Sequence, residues 1–236
     1  MTTKVRQWLG AAADVLLPRL CPVCGRVLGS DEPHLCRACL SAMPRTRLEQ
    51  QPLNAMEQLF AGLVPIERAT GYFYYEKASP YAAILHDIKY RNRPDMGQWL
   101  ACHAARQIAP SGFWDGVDAI VPVPLHVSKL AKRGYNQSIY LARGVSQATG
   151  VPVVEAVEAV RAHATQTHRG ALDRWKNTRE MYAAHSSAKQ LAGRHVVVVD
   201  DVVTTGATLE ACATALQDAV PGIKVSLFAL AVARID

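Results

Sequence analysis

Residues 195–209, with the sequence HVVVVDDVVTTGATL, are the most informative stretch of this chain. Four consecutive valines are typical of a strand that is buried on both faces, as in a parallel sheet. Two adjacent carboxylates, Asp200 and Asp201, follow directly, and a turn of small residues then leads into a helix predicted over Ala207–Ala219. We therefore expect an acidic pair to lie beside a helix N-terminus at the end of a buried strand.

The turn after the acidic pair has the composition of a phosphate-binding loop. Backbone amides at a helix N-terminus attract anions, and nearby hydroxyls add further donors. Because the two carboxylates would repel a phosphate, we expect them to contact a neutral or cationic group beside it, such as sugar hydroxyls. For any single threonine, Thr205 above all, helix capping is an alternative role. The candidate phosphate ligands are Thr204, Thr205, Gly206, Ala207 and Thr208.

Strands and helices alternate along residues 67–236. The pattern predicts an edge strand at 70–75 and further strands at 117–123, 151–154, 195–199 and 225–232. It also predicts one helix that begins after Ser79, its N-cap, and further helices over 96–109, 138–148 and 207–219. This alternation predicts an α/β domain with a largely parallel sheet flanked by helices. In such sheets ligands bind beyond the carboxyl ends of the strands.

Four cysteines near the N-terminus have the spacing C-x2-C-x11-C-x2-C. Two such knuckles can place four thiolates tetrahedrally around one Zn²⁺, and a complete shell favours a structural site. The alternative is a pair of disulfides in a secreted domain, but Asp14 interrupts the apolar stretch at 4–17 and no convincing cleavage site follows. The predicted zinc ligands are Cys21, Cys24, Cys36 and Cys39.

These features divide the chain into four predicted parts. Residues 1–20 are expected to form an amphipathic helix, 21–45 a zinc ribbon, 46–66 a linker of little periodicity, and 67–236 the α/β domain. No run of apolar residues is long enough to span a bilayer. We therefore expect a cytoplasmic protein without an integral membrane segment.

Charge is distributed unevenly over the 236 residues, which carry a formal net charge of +6. Half of the residues are apolar, which excludes a disordered polyelectrolyte. Positive residues cluster in 126–143 and 161–179, whereas 191–236 holds more acids than bases. Basic segments that face an acidic one favour a phosphorylated ligand over a generic anionic surface. In or beside the first basic segment, Lys132 and Arg133, with the neighbouring Asn136 and Gln137, are candidate contacts for such a ligand.

Three motifs together resemble a known family. VVVVDDVVTTGAT at 196–208 is similar to the phosphoribosyl-pyrophosphate signature of type I phosphoribosyltransferases. VPVPLH at 121–126 with KRGYNQ at 132–137, and IKY at 88–90, narrow the resemblance to the ComF family, phosphoribosyltransferase homologues with an N-terminal zinc ribbon. Ser128 stands where these proteins often have proline, and we expect a loop over 125–133.

The resemblance implies roles for the acidic pair, the turn and a mobile loop. Asp200 and Asp201 would hold the ribose hydroxyls, and 204–208 the 5′-phosphate. The pyrophosphate would then contact Lys132 and Arg133, with Asn136 and Gln137 beside them. Mg²⁺ would bind between pyrophosphate and ribose oxygens, its other ligands being mostly water. Catalysis is expected to involve Asp200, Asp201 and a clamp from Arg174. The remaining candidates, Gln166 and Asn177, lie in the same predicted mobile loop as Arg174.

Two functions remain open at this stage. The first is an enzyme that transfers phosphoribosyl to an unidentified acceptor and releases pyrophosphate, with Tyr135 or Tyr182 as a stacking surface. The second is a non-catalytic adaptor that binds phosphoribosyl pyrophosphate or single-stranded DNA, because ComF proteins are associated with natural competence and DNA uptake. Competence proteins are candidate partners of either. Arginines that could contact DNA around the ribbon are Arg19, Arg26, Arg37, Arg45 and Arg47.

Overall fold

The computed structural model describes residues 18–160 and 181–234. A four-stranded sheet in the order β1-β6-β5-β2 contains β1 (Ala69–Tyr75), β2 (Ala119–Pro122), β5 (His195–Val203) and β6 (Lys224–Ala233). Every pairing in it is parallel, and β1 lies at an edge as predicted. A separate antiparallel pair consists of β3 (Val157–Ala159) and β4 (Tyr182–Ala184). The expectation of a parallel α/β sheet is confirmed.

Helices cover both faces of this sheet. Within the described residues they are α1 (Arg37–Ser41), α2 (Ala55–Gln58), α3 (Ala82–Tyr90), α4 (Pro94–Ile108), α5 (Val127–Arg133), α6 (Gln137–Thr149) and α7 (Ala207–Ala219). Short 3-10 helices cover Leu48–Gln50, Ala109–Ser111 and Ser186–Leu191. Val197 and Val199 of β5 belong to the apolar cluster that contains α4 and α6, whereas Val196 and Val198 belong to the cluster that contains α7. The valine run is apolar because the strand is buried on both faces.

The cysteine-containing segment packs onto the α4 side of the sheet. Its buried residues belong to the same apolar cluster as the core of α4 and α6. The Tyr81 hydroxyl donates a hydrogen bond to the Cys39 carbonyl over 2.9 Å. The rings of His34 and Trp99 lie 5.4 Å apart between centroids. The division between ribbon and α/β domain at residues 45 and 66 stays a prediction.

Residues 46–66 are packed against the sheet and are not an unstructured linker. The Asn54 side chain accepts from the backbone N–H groups of Met56 and Glu57, and it donates to the Ala69 carbonyl over 2.9 Å. Met56 and Phe60 are fully buried. Their spacing of four residues is a helical signal, but the helix covers only four residues, too few for a periodic pattern to stand out.

Three boundaries differ from the sequence-based expectation. The 125–133 segment was expected to be a loop, and this expectation was wrong because the segment contains helix α5. The His126 ring nitrogen caps the helix, and Gly134 at φ +80° ends it. Residues 151–154 were expected to form a strand, but they contribute only a single parallel bridge, between Ile120 and Val153. β5 continues past residue 199 because its backbone still pairs with β6 up to Val203.

The beginning of α3 also differs, and two expectations fall outside the described residues. The Ser79 hydroxyl accepts from the Tyr81 N–H over 3.3 Å, so it closes the turn ahead of the helix and is not its N-cap. Almost all of the predicted helix over 1–20 lies outside the described residues, as does most of the predicted mobile loop.

Gly144 should be essential for the packing of α6 on α4. A Cβ at Gly144 would lie 2.1 Å from the Gln98 carbonyl oxygen, which is backbone and cannot rotate away. We expect Gly144→Ala to lower the free energy of unfolding by about 2–3 kcal/mol in urea denaturation, as overpacking does.

Gly97→Ala is the matched control, because its Cβ would meet only side-chain atoms, the nearest being Leu141 Cδ2 at 3.3 Å. Helix propensity favours alanine at both positions. An equal loss of stability in the two variants would contradict the close backbone approach.

Candidate functional site

The acidic pair is buried at the carboxyl end of β5. Asp200 is 8% exposed and Asp201 is 3% exposed. Asp200 Oδ1 accepts from the Ser138 hydroxyl over 3.2 Å and from the backbone N–H of Asp201 over 2.8 Å. Ser138 lies at the start of α6, so this helix supplies a hydrogen-bond donor to the acidic pair.

Asp201 is held by a cation from α3. The Lys89 ammonium lies 2.9 Å from Asp201 Oδ1. The second oxygen, Oδ2, is buried and has no hydrogen-bond partner among the residues that the structure describes. A buried carboxylate oxygen of this kind is costly unless something donates to it. The geometry therefore offers one free acceptor at the place where sugar hydroxyls were predicted.

The proton affinity of Asp200 is unusual. The pKa of Asp200 is raised to about 7, mainly by burial and also by the negative charge of Asp201. The Asp201 N–H, the Lys89 ammonium and the Ser138 hydroxyl oppose this rise. Strongly shifted groups of this kind are enriched at functional sites.

The turn after β5 leaves the N-terminus of α7 open. Gly206 is the N-cap at φ +79°, and no side chain caps the helix. The capping alternative for Thr205 is therefore not realised; Thr204 and Thr205 are both exposed. A small concave surface is lined by residues 202–209 together with Asp200. The predicted phosphate ligands come together around free backbone amides, as an anion site requires.

Gly206 also meets a constraint that the motif alone does not reveal. A Cβ at this position would lie 2.9 Å from the Phe60 ring. Phe60 belongs to the segment predicted as a linker, so this segment packs against the turn. A side chain at 206 would therefore suffer both the left-handed backbone and a steric clash.

The predicted pyrophosphate residues lie on α5 and the start of α6. The Arg133 guanidinium donates to Gln137 Oε1 over 2.8 Å and lies 5.2 Å from the centroid of the Tyr90 ring. Asn136 caps α6 and donates to the Val123 carbonyl over 3.0 Å. Lys132 is exposed. Arg133 and Lys132 are thus available at the surface, whereas the two amide side chains have partners within the fold.

The two tyrosines considered as stacking surfaces differ in their surroundings. Tyr135 is buried, and its hydroxyl donates to the Ile88 carbonyl. Tyr182 is half-buried on β4; burial raises its pKa, and the hydrogen bond to the Thr208 side chain opposes that rise. Tyr182 is therefore connected to the phosphate turn. Gln166, Arg174 and Asn177 lie outside the described residues.

Two residues of the site were not predicted from the sequence. Lys89 belongs to a motif that carried the family resemblance, but no role followed from it. Ser138 was assigned only to a helix. Both contact the acidic pair from elements distant in sequence. Cations are common near the end of a helix, so the position of Lys89 there was only a weak signal of a functional role.

The four cysteines converge as their spacing predicts. Their sulfur atoms all lie within 4.8 Å of one another. The Cys39 N–H donates to Cys36 Sγ over 3.4 Å and is the main reason that the pKa of Cys36 is lowered to about 7. Four convergent sulfurs with an amide donor fit Zn²⁺, which takes thiolates in tetrahedral geometry.

Several ribbon arginines are already paired with acids. Arg26 lies 2.6 Å from Glu32, Arg37 forms an ion pair with Asp31, and Arg45 lies 3.5 Å from Glu49. These pairs reduce the net positive charge that the ribbon presents. None of the helices in 18–160 or 181–234 is both long and apolar enough to cross a bilayer.

Replacement of zinc ligands should release metal and destabilise the ribbon. We expect Cys36→Ser to lose bound zinc and to lower the free energy of unfolding by about 3 kcal/mol or more, because metal affinity contributes directly to folding. Metal content measured by atomic emission should show one zinc per chain in the wild type and none in Cys36→Ser. Cys102→Ala, which lies outside the cluster, should keep the metal. Zinc retained after all four cysteines are changed to serine would refute the site.

Asp200 should reduce stability at neutral pH. The folded protein keeps the Asp200 carboxyl protonated up to about pH 7, whereas the ordinary pKa of an aspartate is 3.8. The folded state therefore binds more protons between these values, and stability falls as the pH rises through them. Asp200→Asn should raise the free energy of unfolding by about 1–3 kcal/mol at pH 7.5 and by less at pH 4.

Asp118→Asn is the control with the opposite sign. The backbone N–H of His195 lowers the pKa of Asp118, and Arg194 adds to this effect. Its contribution is present at neutral pH and is lost as the pH falls, so this variant should be less stable at pH 7.5. Urea titrations of both variants at pH 4, 5.5 and 7.5 give the comparison. A gain for Asp200→Asn that does not grow with pH would contradict the raised pKa.

The chain matches a known domain family and several curated proteins. A family model described as phosphoribosyl transferase domain matches residues 104–232, more than half of the chain. DNA utilization protein YhgH of Escherichia coli K12 is 30% identical over 199 residues, covering 80% of each chain. Competence protein F of Haemophilus influenzae is 37% identical over 94 residues, covering 39% of this chain and 41% of that protein.

Solved structures match more distantly. The allosteric regulatory enzyme of purine biosynthesis is 21% identical, with a TM-score of 0.39 over 60% of this chain and 29% of that chain. That score is too low to support an argument about function. The family match spans the motifs at 121–137 and 196–208. The chain belongs to the phosphoribosyltransferase domain family, as a member of its ComF group.

Proposed function

We propose that this protein binds phosphoribosyl pyrophosphate together with Mg²⁺ and transfers the phosphoribosyl group to an acceptor nucleophile, releasing pyrophosphate. The observation that carries the proposal is the buried pair Asp200 and Asp201 directly beside the uncapped N-terminus of α7. A sugar phosphate carries hydroxyls next to an anion, and this site offers acceptors next to amide donors.

The 5′-phosphate would bind at the turn 204–208. Free amides at the start of α7 and the hydroxyls of the three threonines supply donors, and the helix dipole favours the negative charge. Gly206 allows the backbone to approach the phosphate. The ribose hydroxyls would donate to the acidic pair, including the unpartnered Asp201 Oδ2.

The pyrophosphate would lie toward α5. Arg133 is the main candidate because a guanidinium has five N–H donors and one Gln137 contact leaves others available. Lys132 adds a point charge nearby. Asn136 and Gln137 would act by shaping this turn. Arg174 stays a predicted clamp on the same group.

The reaction would break the bond between the anomeric carbon and pyrophosphate oxygen, and the acceptor would form the new bond at that carbon. Negative charge grows on the leaving group and positive charge on the ribose. When bound, Mg²⁺ neutralises charge on the pyrophosphate. Arg133 would stabilise the departing pyrophosphate, and the carboxylates would stabilise the positive ribose. The acceptor is not identified by the site.

The names of the relatives favour a role in DNA uptake and a second candidate function. Those proteins are named for DNA utilization and competence, and neither name states an enzymatic reaction. A cytoplasmic adaptor that binds phosphoribosyl pyrophosphate or single-stranded DNA without turnover is therefore the alternative. Competence proteins would be its partners.

Binding of phosphoribosyl pyrophosphate should stabilise the folded protein. With ligand at 100 times its Kd the gain is about 2.7 kcal/mol, which corresponds to a rise in Tm of roughly 5–10 °C for a chain of this size. Thermal denaturation with 1 mM ligand and Mg²⁺ measures it. The double variant Asp200→Ala with Asp201→Ala should show no shift, whereas Asp118→Ala should respond like the wild type. A wild type that does not respond would refute the proposed ligand.

Turnover should distinguish the two candidate functions. We expect wild-type protein to release pyrophosphate when bases, amines or water are offered as acceptors, and the double aspartate variant to release none. A colorimetric assay for pyrophosphate provides the readout. Ligand-dependent stabilisation without release under every condition would favour the adaptor.

A further inference from the structure

The end of α3 contacts both halves of the proposed ligand site through three consecutive residues. The Ile88 carbonyl accepts from the Tyr135 hydroxyl. The Lys89 ammonium pairs with Asp201 Oδ1 at 2.9 Å. The Tyr90 ring lies under the Arg133 guanidinium at 5.2 Å. Lys89 is thus the member of this segment that reaches the acidic pair.

The charge balance of the pair requires a cation. Asp200 and Asp201 are adjacent and buried, so two negative charges would repel each other strongly in this environment. Among the residues that the structure describes, Lys89 forms the ion pair with this site. Its side chain is 18% exposed and that of Asp201 is 4% exposed, so water screens the pair poorly.

Docking of α3 does not depend on this ion pair. Ile84, Leu85 and Ile88 bury the apolar face of the helix, and the Tyr135 hydrogen bond holds its last turn. Buried ion pairs are in general weak contributors to stability. The arrangement therefore has a use beyond attachment of the helix.

We propose that Lys89 is a positioning residue of the ligand site, which holds Asp201 through Oδ1 and leaves Oδ2 directed to the ribose hydroxyls of the ligand. The inference rests on the proposed function. The bond to Oδ1 fixes the rotation of the carboxylate, and Oδ2 is the oxygen without a partner. Lys89 acts at the sugar end of the site, whereas Arg133 and Lys132 act at the pyrophosphate end.

Three probes separate these two ends. Ribose 5-phosphate carries the hydroxyls and the 5′-phosphate, inorganic pyrophosphate with Mg²⁺ carries only the leaving group, and phosphoribosyl pyrophosphate with Mg²⁺ carries both. We expect Lys89→Met in the full chain to weaken ribose 5-phosphate and phosphoribosyl pyrophosphate by about tenfold each, equivalent to about 1.4 kcal/mol. The affinity for inorganic pyrophosphate should stay within twofold. Calorimetric titration measures all three.

Three further variants control for charge, geometry and folding. Lys129→Met removes one exposed positive charge from α5 and should change none of the affinities. Lys89→Arg keeps the cation and should restore most of the affinity. In an Asp201→Asn background, Lys89→Met should have little additional effect, because the two residues act through one contact. This comparison also holds if Lys89→Met lowers the Tm of the free protein.

The outcomes are distinct. Unchanged sugar-phosphate affinity in a folded Lys89→Met variant would overturn the inference while the proposed function stands. A loss confined to pyrophosphate, an equal loss for all three probes, or full additivity with Asp201→Asn would also overturn it. If the wild type binds neither sugar phosphate, the proposed function fails and the inference fails with it.

Discussion

Two neighbouring carboxylates, Asp200 and Asp201, are buried at the end of a central strand, and much of the surrounding structure serves to accommodate their charge. Ser138 donates to one and Lys89 pairs with the other. The remaining imbalance appears as the raised pKa of Asp200. Burial of two adjacent carboxylates lowers the stability of the fold, and the apolar, valine-rich sheet compensates for this loss. Functional sites commonly retain destabilising arrangements of this kind. The acidic pair is therefore best explained by the ligand that it would hold.

The same constraint explains the distribution of positive charge. A net charge of +6 would by itself fit any anionic partner. In the structure the Arg133 guanidinium lies against Tyr90, whose neighbour Lys89 reaches Asp201. Several ribbon arginines, by contrast, are paired with acids of the ribbon and its border. The positive charge near the acidic pair is thus arranged for a small phosphorylated ligand more clearly than for an extended polyanion.

Local structure was predicted well, and long-range packing was not. The valine run forms a strand buried on both faces and the cysteine sulfurs converge, as expected, whereas the roles of the acidic pair and the threonine turn stay predictions. The packing of segment 46–66 was not predicted, because its helix covers only four residues and the burial of Met56 and Phe60 depends on the sheet that they meet. Helix α5 was missed because the capping by His126 and Gly134 was not recognised in a short basic stretch.

The sequence by itself determined the buried strand that carries Asp200 and Asp201, the turn of small residues that joins it to the next helix, and the four cysteines that converge. These features depend on periodicity, turn chemistry and spacing, which act over a few residues. Only the tertiary structure decided that Lys89 reaches Asp201, that Ser138 reaches Asp200 and that Phe60 packs against Gly206. Those contacts join distant parts of the chain, and they exist because both faces of a parallel sheet must be covered by the segments that connect its strands.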